Sequence, residues 1–304
     1  MSKDGALTLI SRGMNLVSLS KEAQNSLFAA MQKLVESEFV GDFCSIYSKY
    51  ADRSKDFVYK TAFAEMSEIS KNVGIHRFEG NALLLFAMLD GLEKRYESAD
   101  ISKEIFLNTI VDLRYKVDES WEVFSVYGIT DACAVGWYPS IFSVRVVGIG
   151  RLQYEYKKLG HACSIGGVDL KEETMVLNIH IPRTGTPLDR ESVLASYADA
   201  AKFFADRFIG DSVIFCCKSW LLFPRHLEFL SPNANLRAFY LDFDIVDSGE
   251  YSDYSQVWRL FDREYNGDVD VLPQNTSLRR AYADLIRRGE PTGWGMGVKI
   301  YQKQ

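Results

Sequence analysis

The chain has 304 residues, of which 47% are hydrophobic and 25% charged, and its formal net charge is −6. That is length enough for two domains of ordinary size, with apolar material for a core in each. The acidic balance, with no long basic patch, excludes a general nucleic-acid binder, and no apolar run approaches the roughly 20 residues that span a bilayer.

The N-terminus, MSKDGALTLISRGMN, has neither a hydrophobic signal core nor a small-residue cleavage site, so a cytoplasmic location is expected. Five Cys at irregular spacing, with no C-x-x-C pair, fit a reducing compartment without disulfides. The four His form no H-x-x-x-H and no zinc quartet. His161 and Cys163 lack two further ligands, so no metal is expected.

Up to about residue 130 the chain reads as all helical. Ser20 is placed to cap a helix with Ala23, Leu27, Met31, Leu34 and Val35 on one face. Further helices are expected between Gly41 and Lys71. Gly80 and Asn81 precede an apolar helix over Ala82–Leu92. Ser102 caps a third, with Phe106, Ile110, Leu113, Val117, Trp121 and Phe124 on one side. The Gly128–Pro139 stretch then marks a change of regime. Strands are predicted at Phe142–Tyr156, Met175–Ile181, Ser212–Leu222, Phe239–Val246 and Gly297–Tyr301. Helices are predicted at Pro187–Phe208, near Arg225–Arg237, at Tyr254–Tyr265 and at Ser277–Arg288. The expected architecture is α/β (α+β): a helical domain over residues 1–130, followed by a mixed-sheet domain over 131–304.

The most informative stretch is Thr174–Phe208. A buried strand ends at Pro182, and Thr186, Pro187 and Asp189 fit the cap, first turn and capping box of the next helix. Leu194, Tyr197, Ala201, Phe204 and Phe208 recur at helical spacing. A helix starting there aims free N–H groups at Pro182–Gly185, where Arg183 adds a cation, and together these are the parts of a phosphate site. On the strands, period-two alternation sets Arg151, Gln153 and Glu155 on one face and Asn178 and His180 on another.

Four segments carry a resemblance: GRLQYE at Gly150–Glu155, IHIPRTGTPL at Ile179–Leu188, SWLLFP at Ser219–Pro224 and NTSLRRA at Asn275–Ala281. The chain resembles a biochemically uncharacterised bacterial family whose members are described as N-acyltransferases. These have a helical N-terminal domain and a C-terminal domain similar to the GNAT N-acetyltransferase fold. The resemblance implies an acyl-CoA co-substrate, acetyl-CoA or a longer one, and a small-molecule amine or peptide acceptor. Neither nucleic acid nor membrane is an implied partner. It implies that Ile179 and Ile181 pair with the pantetheine and that Arg183, Thr184, Gly185 and Thr186 hold the pyrophosphate. The loop departs from the usual GNAT pattern. It has one Gly, and Pro187 has no N–H to donate.

Transfer to an amine needs a base, an oxyanion stabiliser and an acid for the leaving thiolate. His180 is the candidate base, since a free imidazole titrates near neutrality. Glu155 is the second catalytic candidate, directly or through water. Gln153, Ser219 and Trp220 are the candidate acceptor-lining residues. The alternative is a catalytically silent GNAT-fold module that binds a ligand or protein partner.

Overall fold

The computed structural model describes residues 2–50 and 58–303. The chain divides into two compact units, Met1–Gly148 and Ile149–Gln304.

The first unit is helical. Ser20 and Ser102 cap the helices Lys21–Glu36 and Lys103–Ile110 as expected, each side chain accepting the N–H three residues on. All five predicted apolar residues of Lys21–Glu36 are buried. The region between Gly41 and Lys71 holds parts of two helices, Val40–Tyr50 and Tyr59–Val73, and residues 51–57 lie outside the described residues. The central helix is longer than predicted. It runs Arg77–Ser98 and is capped by His76 in a box with Glu79, so Gly80 and Asn81 lie inside it. Gly80 is where the helix Tyr59–Val73 comes close: a Cβ there would lie 2.0 Å from Ser70 Oγ. The third predicted helix is broken at Val111 into Lys103–Ile110 and Asp112–Phe124. The break turns Trp121 and Phe124 outward, and they are 45% and 40% exposed.

Buried Asp112 fastens the end of this unit. It accepts hydrogen bonds from Trp137 Nε1 at 2.9 Å and Tyr138 Oη at 3.2 Å, and burial pushes its carboxyl pKa up. Trp137 closes a π-turn, Cys133–Trp137.

The strands of the second region are β1 (Val146–Ile149), β2 (Leu152–Lys158), β3 (Cys163–Ile165), β4 (Val168–Leu170), β5 (Met175–His180), β6 (Ser212–Ser219), β7 (Asp244–Glu250) and β8 (Gly293–Gln302). Six of them form a sheet in the order β1-β2-β5-β6-β8-β7, and β3 with β4 forms a separate hairpin. All pairings from β2 to β7 are antiparallel except β5 with β6, which run parallel. This is the mixed sheet expected behind a helical region.

Several predicted elements shift. The single strand Phe142–Tyr156 is a hairpin: Gly150, at φ +60°, turns the chain between β1 and β2. Ser212–Leu222 is a strand only to Ser219, followed by a 3-10 turn at Trp220–Leu222. Phe239–Val246 is the end of a helix, Asn235–Tyr240, and the start of β7. The helix expected near Arg225–Arg237 is two short pieces, and that at Tyr254–Tyr265 shrinks to Trp258–Phe261. Ser277–Arg287 forms as expected, capped by Thr276.

The two sheet faces differ. On one, Val176, Cys216, Met296 and Val298 pack with Ile165 and Leu170 of the β3–β4 hairpin. On the other, Phe215 meets Tyr154 and Tyr197, the latter from the helix Arg190–Phe203. A satellite core of Val257, Phe261, Leu272, Tyr282, Ala283 and Ile286 lies under the helix Ser277–Arg287.

His226 is fully buried beside that satellite core. Its Nδ1–H donates to Leu221 O at 3.1 Å, and Nε2 accepts from Tyr282 Oη at 2.5 Å. Burial lowers its pKa from 6.5 to about 4. The unfolded chain therefore binds the extra proton first. Stability from this group is complete above pH 6.5 and falls as pH drops toward 4, by about 3 kcal/mol in all. Urea titrations across that window should show the loss, and His226→Phe should flatten it. An equal slope in both proteins would refute the assignment.

Candidate active site

The site begins where β5 and β6 part. Their pairing covers only Leu177↔Phe215 and Asn178↔Cys216, although β5 continues to His180 and β6 to Ser219. Beyond Asn178 no further residues of β5 and β6 pair with each other among the described residues, so the two strands separate there. His180 stands on one lip of the gap, and Lys218, Ser219 and Trp220 on the other.

The other edge of β5 is fully paired. Register with β2 sets Gln153 opposite His180, Tyr154 opposite Ile179 and Glu155 opposite Asn178. Alternation then brings Gln153, Glu155, Asn178 and His180 to one face. His180 Nε2 lies 3.4 Å from Glu155 Oε2 and 3.0 Å from Asn178 Nδ2. Asn178 Oδ1 in turn lies 3.4 Å from Cys216 Sγ. The two catalytic candidates are thus brought together, with Asn178 and Cys216, to which the sequence had assigned no role, beside them. Their signal was present: Asn178 is the one other polar residue in an otherwise apolar strand. Gln153 is buried, at 2% exposure.

Burial pushes the Cys216 thiol up to about 12 and raises Cys217 further, so both stay protonated. Cys217 is fully buried on the face opposite His180.

On the far lip, Ser219 Oγ accepts the Leu221 N–H at 3.2 Å. Trp220 turns its ring edge-on to His226 and Tyr282, each at 6.1 Å, and so belongs to the satellite core. Lys218 Nζ sits 3.6 Å above the Trp294 ring.

The loop after β5 differs from expectation at its helix. Asp189, not Thr186, is the cap, and the helix starts at Arg190. The Asp189 carboxylate takes the Ser192 N–H at 2.9 Å and the Ser192 hydroxyl at 2.7 Å, which lowers its pKa. Of the predicted apolar face, Tyr197 and Ala201 are buried as expected. Val193, Tyr197, Ala200 and Ala201 are buried, and Leu194 is 40% exposed. Thr186 instead closes a local turn: its N–H donates to Thr184 Oγ1 at 3.3 Å, and the two hydroxyls lie 2.6 Å apart. Gly185, at φ +72°, permits that turn.

Two arginines organise the loop. Arg151, from the β1–β2 turn, donates to the carbonyls of Pro182, Thr186 and Pro187 at 3.0, 3.4 and 3.4 Å. Arg183 pairs with Asp262 at 2.7 Å, and Asp262 also binds Arg279. Asp262 holds a left-handed backbone, φ +56°. Nothing local in the sequence announces Asp262, because its partners are distant in the chain.

Residues 146–299, about half of the chain, match the family model described as a GNAT-like C-terminal domain. No curated protein matches the chain. Among solved structures, an acyltransferase in complex with decanoyl-CoA is similar at 18% identity and TM-score 0.67, covering 98% of this chain and 99% of that one. An acyltransferase in complex with decanoyl-CoA and teicoplanin aligns at 18% identity and TM-score 0.64, covering 94% and 86%. An acyltransferase mutant in complex with octanoyl-CoA aligns at 16% identity and TM-score 0.69, covering 94% and 85%.

Proposed function

Because the chain belongs to the family of the GNAT-like C-terminal domain, we propose that it is an acyl-CoA-dependent N-acyltransferase, with residues 131–304 carrying the chemistry. The observation that carries this reading is the early parting of β5 from β6 with His180 and Glu155 at its lip. The shared fold of acyltransferases bound to decanoyl-CoA and octanoyl-CoA supports the donor class. The teicoplanin complex supports a small-molecule or peptide acceptor bearing an amine.

In this reading the pantetheine lies along Ile179–Ile181, on the edge of β5 that β6 leaves. The pyrophosphate rests on Arg183, Thr184, Gly185 and Thr186, where the Arg183 guanidinium supplies a charge-assisted donor. Gln153, Ser219 and Trp220 line the acceptor side. The amine nitrogen attacks the thioester carbonyl carbon. Its proton passes to His180, and the Glu155 carboxylate stabilises the imidazolium that forms. As the tetrahedral intermediate collapses, the C–S bond breaks. The electron pair leaves on sulfur, and the thiolate takes the proton held by His180, which returns the imidazole to its neutral form.

Arg183→Ala should weaken CoA binding by about 1–3 kcal/mol, read by titration calorimetry. Unchanged affinity in that variant would move the pyrophosphate elsewhere. The reading as a whole is tested by release of free CoA thiol from acyl-CoAs with an amine panel, where amine-dependent release is expected.

One observation favours a second reading, a silent GNAT-fold module. Arg183 is already engaged by Asp262, and the helix start is already capped by the Asp189 carboxylate. Tight CoA binding with no thiol release would decide for it.

A further inference from the structure

We propose that Asn178, oriented by the Cys216 thiol, is a positioning residue that sets which nitrogen of His180 is basic. The inference rests on the proposed role of His180 and adds two residues to that site.

Cys216 is 3% exposed and its thiol stays protonated, so it carries an S–H donor that needs an acceptor. The nearest is Asn178 Oδ1, at 3.4 Å. This contact chooses between the two ways an amide can be placed. With Oδ1 held toward sulfur, Nδ2 is the atom that faces His180, 3.0 Å from Nε2. An amide nitrogen only donates. A neutral His180 therefore accepts at Nε2 and carries its proton on Nδ1.

Glu155 completes the device. Its carboxylate only accepts, and Oε2 lies 3.4 Å from the same Nε2. When Nε2 takes a proton it must leave the Asn178 donor, and Glu155 is the acceptor beside it. The two neighbours thus stabilise opposite protonation states of one atom: Asn178 the neutral base, Glu155 the imidazolium. A base flanked this way can accept a proton during attack and give it up afterwards.

Other charged or titratable groups face this row. On β2 they are Glu155 and Lys157, on β6 Cys216 and Lys218, and on β3 Cys163. Lys218 is held on the Trp294 ring.

The test is the ring tautomer, read by long-range 1H–15N spectra of the full chain labelled at histidine. The chain has four His, and His180→Gln assigns the signal. Neutral wild-type His180 should be protonated on Nδ1. Asn178→Asp replaces the donor by an acceptor and should move the proton to Nε2. Cys216→Ser keeps a donor toward Oδ1 and should retain the wild-type tautomer, whereas Cys216→Ala should yield a mixture. With an active acyl donor, Asn178→Asp should lower kcat at least tenfold and leave KM for the donor within twofold. Cys216→Ser should keep most of the activity.

A wild-type ring protonated on Nε2 overturns the proposal by itself, even if a variant fails to fold. So does an Nδ1 tautomer that persists in Asn178→Asp. If no acyl donor is ever turned over, the acyltransferase reading fails, while the spectra still decide what Asn178 does.

Discussion

Replacing His180 by Gln should lower kcat by about 10²–10⁴ and leave the Kd for acyl-CoA nearly unchanged. The amide keeps the size and polarity of the ring but cannot accept a proton near neutral pH. The deficit shrinks as pH rises, because more of the amine is then already deprotonated and needs no base. Pre-steady-state acyl transfer across pH 6–10 (approximate bounds set by imidazole and amine titration) measures this. Glu155→Gln should show a smaller loss, since it removes only the partner of the imidazolium. A His180→Gln protein of full activity at neutral pH would make His180 a packing residue of the β2–β5 edge.

Phe215→Ala destabilises the fold by about 3–5 kcal/mol, the usual cost of emptying a phenyl-sized space in a core. Phe215 is fully buried, and its ring lies 5.2 Å from that of Tyr197, 5.6 Å from Tyr301 and 5.9 Å from Tyr154. Its backbone also forms one of the two pairs that hold β6 to β5. The substitution therefore loosens the strands just below the gap, and weaker acyl-CoA binding should accompany the lower urea midpoint. A loss under about 1 kcal/mol would mean that the aromatic layer closes over the missing ring.

Elements whose signals are local were legible in the sequence. Ser20 and Ser102 each accept the N–H three residues on, as their hydroxyls and the apolar periodicity behind them predict. Alternation placed His180 with Asn178 and Glu155 with Gln153, but the register that brings the two rows to one face comes from the pairing of β2 with β5. The rest depended on choices that short range leaves balanced. Thr186 and Asp189 both fit a cap, and Asp189 wins because its carboxylate satisfies both the N–H and the hydroxyl of Ser192. Gly150 and Arg151 sit between two β-rich runs, so a hairpin and one long strand share the same pattern until the turn is seen. The apolar run at Phe239 reads as strand, yet its first part ends a helix packed in the core. The β3–β4 hairpin has three residues per strand, too few for a period to register. The Arg183–Asp262 and Asn178–Cys216 contacts join residues that only the folded sheet and its inserted segment bring together.

The most direct measurement of the central claim is a crystal structure of the chain with a non-hydrolysable acyl-CoA. The account predicts the pantetheine along Ile179–Ile181 in the gap between β5 and β6. It also predicts the pyrophosphate at Arg183–Thr186 and the thioester carbon within reach of an amine that His180 can deprotonate. An acyl-CoA bound away from that gap, or bound there with its thioester remote from His180, would contradict it.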